Sequence, residues 1–402
     1  MKAHVENKGF LINKAWEIRD LLVNESEKVD LNNEFPINGL NSLKKNQFMS
    51  LLIPKEYGGE EVKIKEASEI AQILGSACLS TSMIWGMHCQ QVLALVKYTK
   101  NDLKKEILNE IVQEQLYIAS VTSEYGKGGH LLTSQSPLNW ISKNKFYINR
   151  EAPTVTGGAN ADAYLITTKT EENGLDSDVS LIYALRKELE VSQVGGWNAM
   201  GMKGTQSVAM NINGLLDDKN ILTKVKFEKV AQYTLIPMAH IMWVSSWLGA
   251  AKNCFKQLIE TLRKNKYTKK YNSDIITYCL SEVRLLLDTV DIYLNHVIDL
   301  YEKQYHSQCL DTSSLKTFNI HLNNLKILGS ENLFKAVNKL IEVAGLYHGY
   351  LKNSETNLER TFRDLRAASL MYHNDRLKLA NGKISLFDSD LLPRRLSKEL
   401  TH

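Results

Sequence analysis

The feature that most restricts what this chain can fold into is its hydrophobic period, which changes twice. From the start to about residue 115, apolar residues recur at three-and-four spacing: Phe10, Leu11, Ala15, Ile18, Leu21 and Leu22, then, after a break at Phe35-Pro36, Leu40, Leu43, Phe48 and Leu51, then Ala67 to Leu79. From Tyr117 to about Leu222 the runs are short or alternating, as in Phe146-Tyr147-Ile148, Tyr164-Leu165-Ile166, Val179 to Tyr183 and Val208 to Ile212, with Gly, Asn and Asp clusters between them. From about Ala231 long helical stripes return, one of them through Ile275, Ile276, Leu280, Val283, Leu286, Leu287, Val290, Leu294, Val297 and Ile298, another from Leu325 to Val343. This order predicts an α+β fold that is mostly α. It comprises an N-terminal helical domain over 1–116, a small middle β-barrel or sheet domain over 117–225, and a C-terminal helical bundle over 226–402. A Rossmann unit does not fit, because no helices alternate with the strands. Gly126-Lys127-Gly128-Gly129 also misses the G-x-G-x-x-G spacing.

Composition removes several classes. A net charge of +4 over 402 residues leaves no basic footprint for nucleic acid. The five cysteines are odd in number and include no CxxC pair, so reduced thiols are expected and neither a disulfide framework nor a metal site is. The first twenty residues hold no uninterrupted apolar run, and no later run reaches membrane-spanning length, so a cytoplasmic protein without membrane insertion is expected. Trp85-Gly86-Met87-His88-Cys89 pairs a His with a Cys, but its composition reads as a buried helix face.

Five segments stand out in chain order. They are Pro54-Lys55-Glu56-Tyr57-Gly58-Gly59, Ser123-Glu124-Tyr125-Gly126-Lys127-Gly128-Gly129-His130, Thr154-Val155-Thr156-Gly157-Gly158, Trp197 to Thr205 (WNAMGMKGT), and Arg363-Asp364. Read alone, their glycines serve hairpin turns or the close approach of backbone to a phosphate. Taken together, the order of parts and these segments resemble the acyl-CoA dehydrogenase superfamily of flavoproteins. The likeness is to its P-x-E-Y-G-G loop, its T-E-P-G-x-G-S-D, W-I-T-N-G and G-M-R-G-T segments, and the Arg-Asp pair ahead of its active-site loop. It spans Phe35 to about Phe387.

The resemblance implies a flavin held between helical layers and the β domain, with two stretches, Tyr117 to His130 and Glu151 to Thr168, as its walls. Val121, Thr122 and Ser123 would meet the pyrimidine edge of the ring. Ser123 takes the position of a flavin-contacting Thr, and Thr156, two residues after Thr154, that of the hydroxyl near N5. Gly126, Gly128 and Gly129 would let backbone approach a phosphate. In the family a neighbouring subunit completes the FAD site, so a homodimer or homotetramer is implied. Lys264 and Tyr267 stand where the family's R-x-x-F-G does, Asp274 where a Gln does, and Glu342, ahead of Gly345, where another Gln does. These changes alter contacts to the adenosine half, so FAD is expected with FMN as the alternative. Asn374 is a further cofactor-contact candidate.

Dehydrogenation of an acyl thioester needs a carboxylate to take the α-proton. Counting from Arg363-Asp364, the family's Glu position falls on Tyr372; the other placement of that Glu falls near Ala239. Three accounts follow. Asp375 or His373 acts as base after a shift of the loop, His being suited by its ordinary pKa. Alternatively the chain is a flavin-dependent monooxygenase, using reduced flavin and O2 with no such base. The third account is a non-catalytic flavin-binding protein. Acyl-thioester dehydrogenation leads by family resemblance. The partners implied are a small-molecule acyl thioester or other organic substrate and an electron-transfer partner or flavin reductase.

Overall fold

The computed structural model describes residues 2–126, 130–222, 225–264, 273–306, 312–352 and 354–387. The N-terminal part is helical: α1 (Lys2–Asn32), α2 (Ile37–Lys45), α3 (Ile64–Gly75), α4 (Leu79–Tyr98) and α5 (Asn101–Glu114). Pro36, lacking an N–H that the preceding break would leave unsatisfied, stands just ahead of α2. Helix α4 is apolar nearly all round and is buried nearly all round, as a helix at the centre of a layer must be. Within it His88 is fully enclosed. Its Nε2 donates to the Met49 carbonyl at 2.7 Å and its Nδ1 accepts from the Ile118 N–H at 3.1 Å. Trp85 and Cys89 are buried beside it, so this stretch is a packed helix face tied to the first strand.

The middle part contains β1 (Ile118–Val121), β2 (Asn139–Ser142), β3 (Lys145–Val155), β4 (Ala163–Lys169), β5 (Val179–Leu185), β6 (Glu190–Val194) and β7 (Val208–Asp217). Strand β4 lies between β1, to which it is parallel, and β5, to which it is antiparallel. Ala163 to Thr168 are all buried, as expected of a strand covered on both faces. The second sheet is antiparallel, in the order β2-β3-β7-β6, and β3 alternates exposed and buried along its first eight residues. These are two open sheets and not the closed barrel that was one sequence expectation. The outer strands of the second sheet, β2 and β6, are solvent-facing and do not pair with each other.

The C-terminal part runs through α6 (Phe227–Val230), a wide five-residue turn, and α7 (Ile236–Lys264), then α8 (Asp274–His306), α9 (Thr312–Gly345), α10 (Leu358–Arg366) and α11 (Asn374–Ser385). Helix α7 crosses α3 at close range because small residues meet there. A Cβ on Gly249 would lie 2.0 Å from the Gln72 carbonyl, and one on Gly75 would lie 2.4 Å from that of Ser246. Ser68 and Ser245 bridge the crossing at 2.7 Å, and Ser82 of α4 bonds Ser246 of α7 beside it at 2.8 Å. On α8 the stripe Val283, Leu287, Val290, Leu294 and Val297 is buried, whereas Ile275, Tyr278, Leu285 and Ile292 are exposed. Among the described residues no helix is long and apolar enough to cross a membrane.

Candidate active site

The end of β1 opens onto a cavity of about 210 Å³, closed by α4, α7 and the loop leading into α11. Its lining divides by chemistry. Ser120, Thr122 and Ser123 come from β1 and its exit; His240, Trp243 and Tyr372 come from the helical side. Met87, Leu131, Leu235 and Ile236 supply apolar surface, and Gln90 is turned aside to the Leu235 carbonyl at 2.7 Å.

The β wall is held by a buried ion pair. Arg150 occupies a core-facing position of β3, between Ile148 and Ala152, and is fully enclosed. Its guanidinium pairs with Glu124, donates to the Ser123 carbonyl at 2.7 Å, and reaches Ser136 Oγ at 3.2 Å. Glu124 also accepts from the backbone N–H groups of Gln135 and Ser136 at 3.0 and 2.7 Å. Burial pushes the Glu124 carboxyl up, but the bonds from Ser136 and Gln135 and the Arg150 charge outweigh it, leaving the group below its ordinary pKa. Ser123 is fixed further by Thr154, accepting from its N–H at 3.2 Å and donating to its carbonyl at 2.6 Å.

The helical wall is aromatic. His240 is buried, and burial lowers its pKa to about 3, so the ring is neutral at working pH. Its Nδ1 lies 3.2 Å from the Leu322 carbonyl, which can only accept; the proton is therefore on Nδ1 and Nε2 is a bare acceptor. Its ring lies 5.8 Å from that of Trp243 and 6.4 Å from that of Tyr372. The Trp243 indole N–H is buried without an acceptor among the described residues. Tyr372 has φ +51°, a left-handed conformation that costs a side-chain-bearing residue on the order of 1 kcal/mol. Beneath it Lys326 of α9, fully enclosed, donates to the Tyr372 carbonyl at 2.8 Å and to Asn374 Oδ1 at 2.7 Å.

The sequence candidates distribute unevenly over this geometry. Thr122, Ser123 and Tyr372 line the cavity. Val121 sits behind it in β1, its carbonyl accepting from Thr167 at 3.3 Å. Thr154 acts through Ser123, and Thr156 pairs its hydroxyl with Ser207 at 3.0 Å, away from the lining. Gly126 turns the chain at φ +73°. His373 and Asp375 face each other at 3.5 Å on the surface, outside the cavity. Asn374 is buried under the loop, donating to Ser330 and Glu331 at 3.0 and 3.1 Å. Lys264 and Asp274 are exposed at helix ends, Glu342 is exposed and accepts from Asn338 at 2.9 Å, and Gly345 ends α9 at φ +72°. Gly128, Gly129 and Tyr267 lie outside the described residues. Glu124, Arg150, His240, Trp243 and Lys326 were not among the candidates. One signal was available: Arg150 falls on the apolar face of an alternating strand, and Lys326 shares a helical face with Leu322, Leu333 and Val337.

Two of the quoted motifs meet each other instead of the cavity. Arg363 clasps Asp30 through Nη1 and Nη2 at 2.8 and 2.6 Å and donates to the Met200 carbonyl at 3.0 Å. Asp364, buried and pushed up to about 6 by that burial, accepts the Met202 N–H. A Cβ on Gly201 would meet the Arg363 carbonyl at 2.1 Å, which is why glycine stands there. Together they join the 197–205 loop to α10 and α1, the frame from which the Tyr372 loop departs.

Comparison with known proteins agrees with this frame. Residues 17–115 match the family model described as acyl-CoA dehydrogenase, N-terminal domain. Cyclohex-1-ene-1-carbonyl-CoA dehydrogenase of Syntrophus aciditrophicus is 19% identical over 382 residues, covering 92% of this chain and 89% of its own. Among solved structures, FMN-bound TdsC of Paenibacillus sp. A11-2, a dibenzothiophene monooxygenase, superposes with a TM-score of 0.84 at 16% identity, over 95% of this chain and 98% of that one. The prolyl acyl carrier protein oxidase AnaB superposes with a TM-score of 0.78 at 18% identity, over 95% and 98%.

Proposed function

The chain belongs to the acyl-CoA dehydrogenase superfamily, and from that premise we propose that it is a flavin-dependent monooxygenase of a small organic substrate. The observation that carries this reading is the cavity lining, which has no Asp or Glu among the described residues and presents Tyr372 where a proton-abstracting Glu is expected. Removing an α-proton from an acyl thioester needs a base of suitable strength. His240 is in the cavity, but with a pKa near 3 it is too weak for that task. His373 and Asp375 are outside it. Acyl-thioester dehydrogenation is the reading that the curated relative favours, and it would need that pair to turn inward.

The residues present fit the ring of a flavin. Thr122 and Ser123 offer polar groups at a strand end, and Trp243 offers a buried donor that the protein leaves unpaired. The cavity is smaller than the roughly 300–1,000 Å³ that encloses a drug-sized ligand. It therefore suits a ring system, and Thr122, Ser123 and Trp243 would hold the ring of either FAD or FMN there. Bound flavin, once reduced, supplies the electrons that activate O2. The chain's own part is positional. His240 Nε2 accepts a hydrogen bond, the Trp243 N–H and Tyr372 hydroxyl donate, and the apolar lining excludes water. A flavin reductase or other electron donor belongs to this reading.

The deciding experiment begins with the pure protein and identification of the flavin it binds. Oxidised holoprotein is then mixed anaerobically with acyl-CoAs of several chain lengths. Separately, reduced holoprotein is mixed with O2 and indole as a probe. The expected result is an unbleached flavin band in the first arm, with O2 uptake and an oxygenated indole in the second. Bleaching by an acyl-CoA would overturn the monooxygenase reading in favour of dehydrogenation, and a protein that binds neither flavin would overturn both.

A further inference from the structure

The geometry points to Lys326 as the positioning residue of the active-site loop, its buried side chain holding the Tyr372 backbone so that the Tyr372 ring lines the cavity. Three observations meet there. Lys326 is fully enclosed on α9, a position at which a lysine is seldom kept unless it is paired. Its two bonds, 2.8 Å to the Tyr372 carbonyl and 2.7 Å to Asn374 Oδ1, straddle the residue that begins the turn into α11. The carbonyl it grips belongs to a tyrosine in the left-handed region, a backbone state that persists only when its surroundings impose it. Asn374 is held in turn by Ser330 and Glu331, and Glu331 by Lys378 at 2.7 Å, so the loop is tied through Lys326 to two helices.

The charges around this lysine are few. Glu331 on its own helix favours the ammonium, and Lys378 of α11 shares that carboxylate. Asp375 is on the exposed side of α11 and acts on Lys378. His240, facing from α7, is uncharged. Burial dominates and lowers the amine to about 8. Deprotonation therefore weakens both bonds at a mildly alkaline pH, and the loop loosens. The role in catalysis rests on the function proposed above; the hold on the loop does not.

Hydrogen exchange of the peptide spanning Met371–Asp375 separates these statements, with a β4 peptide as internal reference. In Lys326→Met, protection of the loop is expected to fall roughly tenfold near pH 7 with the β4 peptide unchanged, since a charged hydrogen bond is lost. Lys326→Arg, which keeps the charge, is expected to retain most of it. Wild type, corrected for intrinsic exchange, loses loop protection on going from about pH 7 to about pH 9, and Lys326→Met shows no further loss over that interval. Loop protection within about twofold of wild type in Lys326→Met, or a loss shared equally with β4, would overturn the assignment. Should Lys326→Met fail to fold, Asn374→Ala removes one anchor only. A loss of protection confined to the same segment supports the assignment, and none overturns it. FMN and FAD titrations of the same variants read the consequence: an altered flavin absorption spectrum is expected in Lys326→Met. If wild type binds no flavin, the proposed function fails while the exchange result still decides the role of Lys326.

Discussion

The two walls of the cavity are each pinned by a buried cation, and they differ in what that cation is paired with. Arg150, behind the β wall, faces a carboxylate that is itself nearly enclosed, and the Ser123 carbonyl, the Ser136 hydroxyl and the Gln135 and Ser136 N–H groups complete the cluster. Lys326, behind the helical wall, is bonded to a carbonyl and an amide oxygen, both neutral. A guanidinium stays protonated at any working pH, whereas a buried amine sheds its proton readily. The pairing thus makes the Thr122–Ser123 wall fixed and leaves the Tyr372 wall tied by a charge that can be removed. A flavin ring laid against the first would keep one orientation. The substrate-facing side would then be the adjustable one.

Breaking the fixed wall should produce the largest effect. Glu124→Leu leaves the Arg150 guanidinium enclosed without its counter-ion, and the expected loss is about 3–5 kcal/mol in denaturant unfolding. The double change Glu124→Leu with Arg150→Met should recover most of it, because an apolar pair of similar volume carries no desolvation cost. A single change costing under about 1 kcal/mol would mean that the β wall does not depend on this pair.

The adjustable wall should show itself as a pH dependence of smaller size. The Lys326 amine has a folded pKa of about 8 against an ordinary 10.5. Between those values the unfolded chain binds a proton that the native chain does not. Stability of wild type relative to Lys326→Met should therefore rise with pH across this window, by about 3 kcal/mol in full. The cost is wholly present below pH 8 and relieved above 10.5. Global stability rises while the loop loosens, two opposite slopes from one proton. Wild type compared with Arg150→Met should show no such rise over the same window.

How far these walls could be read from the chain follows from where their information lies. The period changes placed helices and strands correctly in order, since burial of a stripe is a local property of the sequence. The glycines at 157, 158 and 201, which read alone as turns or phosphate contacts, instead stand where the protein packs closely on itself, against Tyr117, Met210 and Arg363. What the local pattern could not give was the partner. Arg150 meets Glu124 across 26 positions and Lys326 meets Asn374 across 48, so neither pairing leaves a trace at any helical or strand spacing. Counting along the active-site segment of the resembled family led to Tyr372, which lines the cavity. It could not tell that Tyr372 faces inward while His373 and Asp375 face solvent.

The smallest effect is the most discriminating for ligand binding, and it contrasts two tryptophans. Trp85 donates its indole N–H to the Phe48 carbonyl at 2.9 Å, so Trp85→Phe should lose that bond and leave a void, costing about 2–3 kcal/mol. Trp243 bonds nothing among the described residues. Removing a buried donor that has no acceptor offsets the lost packing, and Trp243→Phe should change unfolding free energy by less than about 1 kcal/mol. If its N–H is reserved for what enters the cavity, flavin or indole affinity should nonetheless fall roughly tenfold, the worth of one hydrogen bond. Unchanged affinity for both would make Trp243 a packing residue, and the helical wall would then recognise its ligand through His240 and Tyr372 alone.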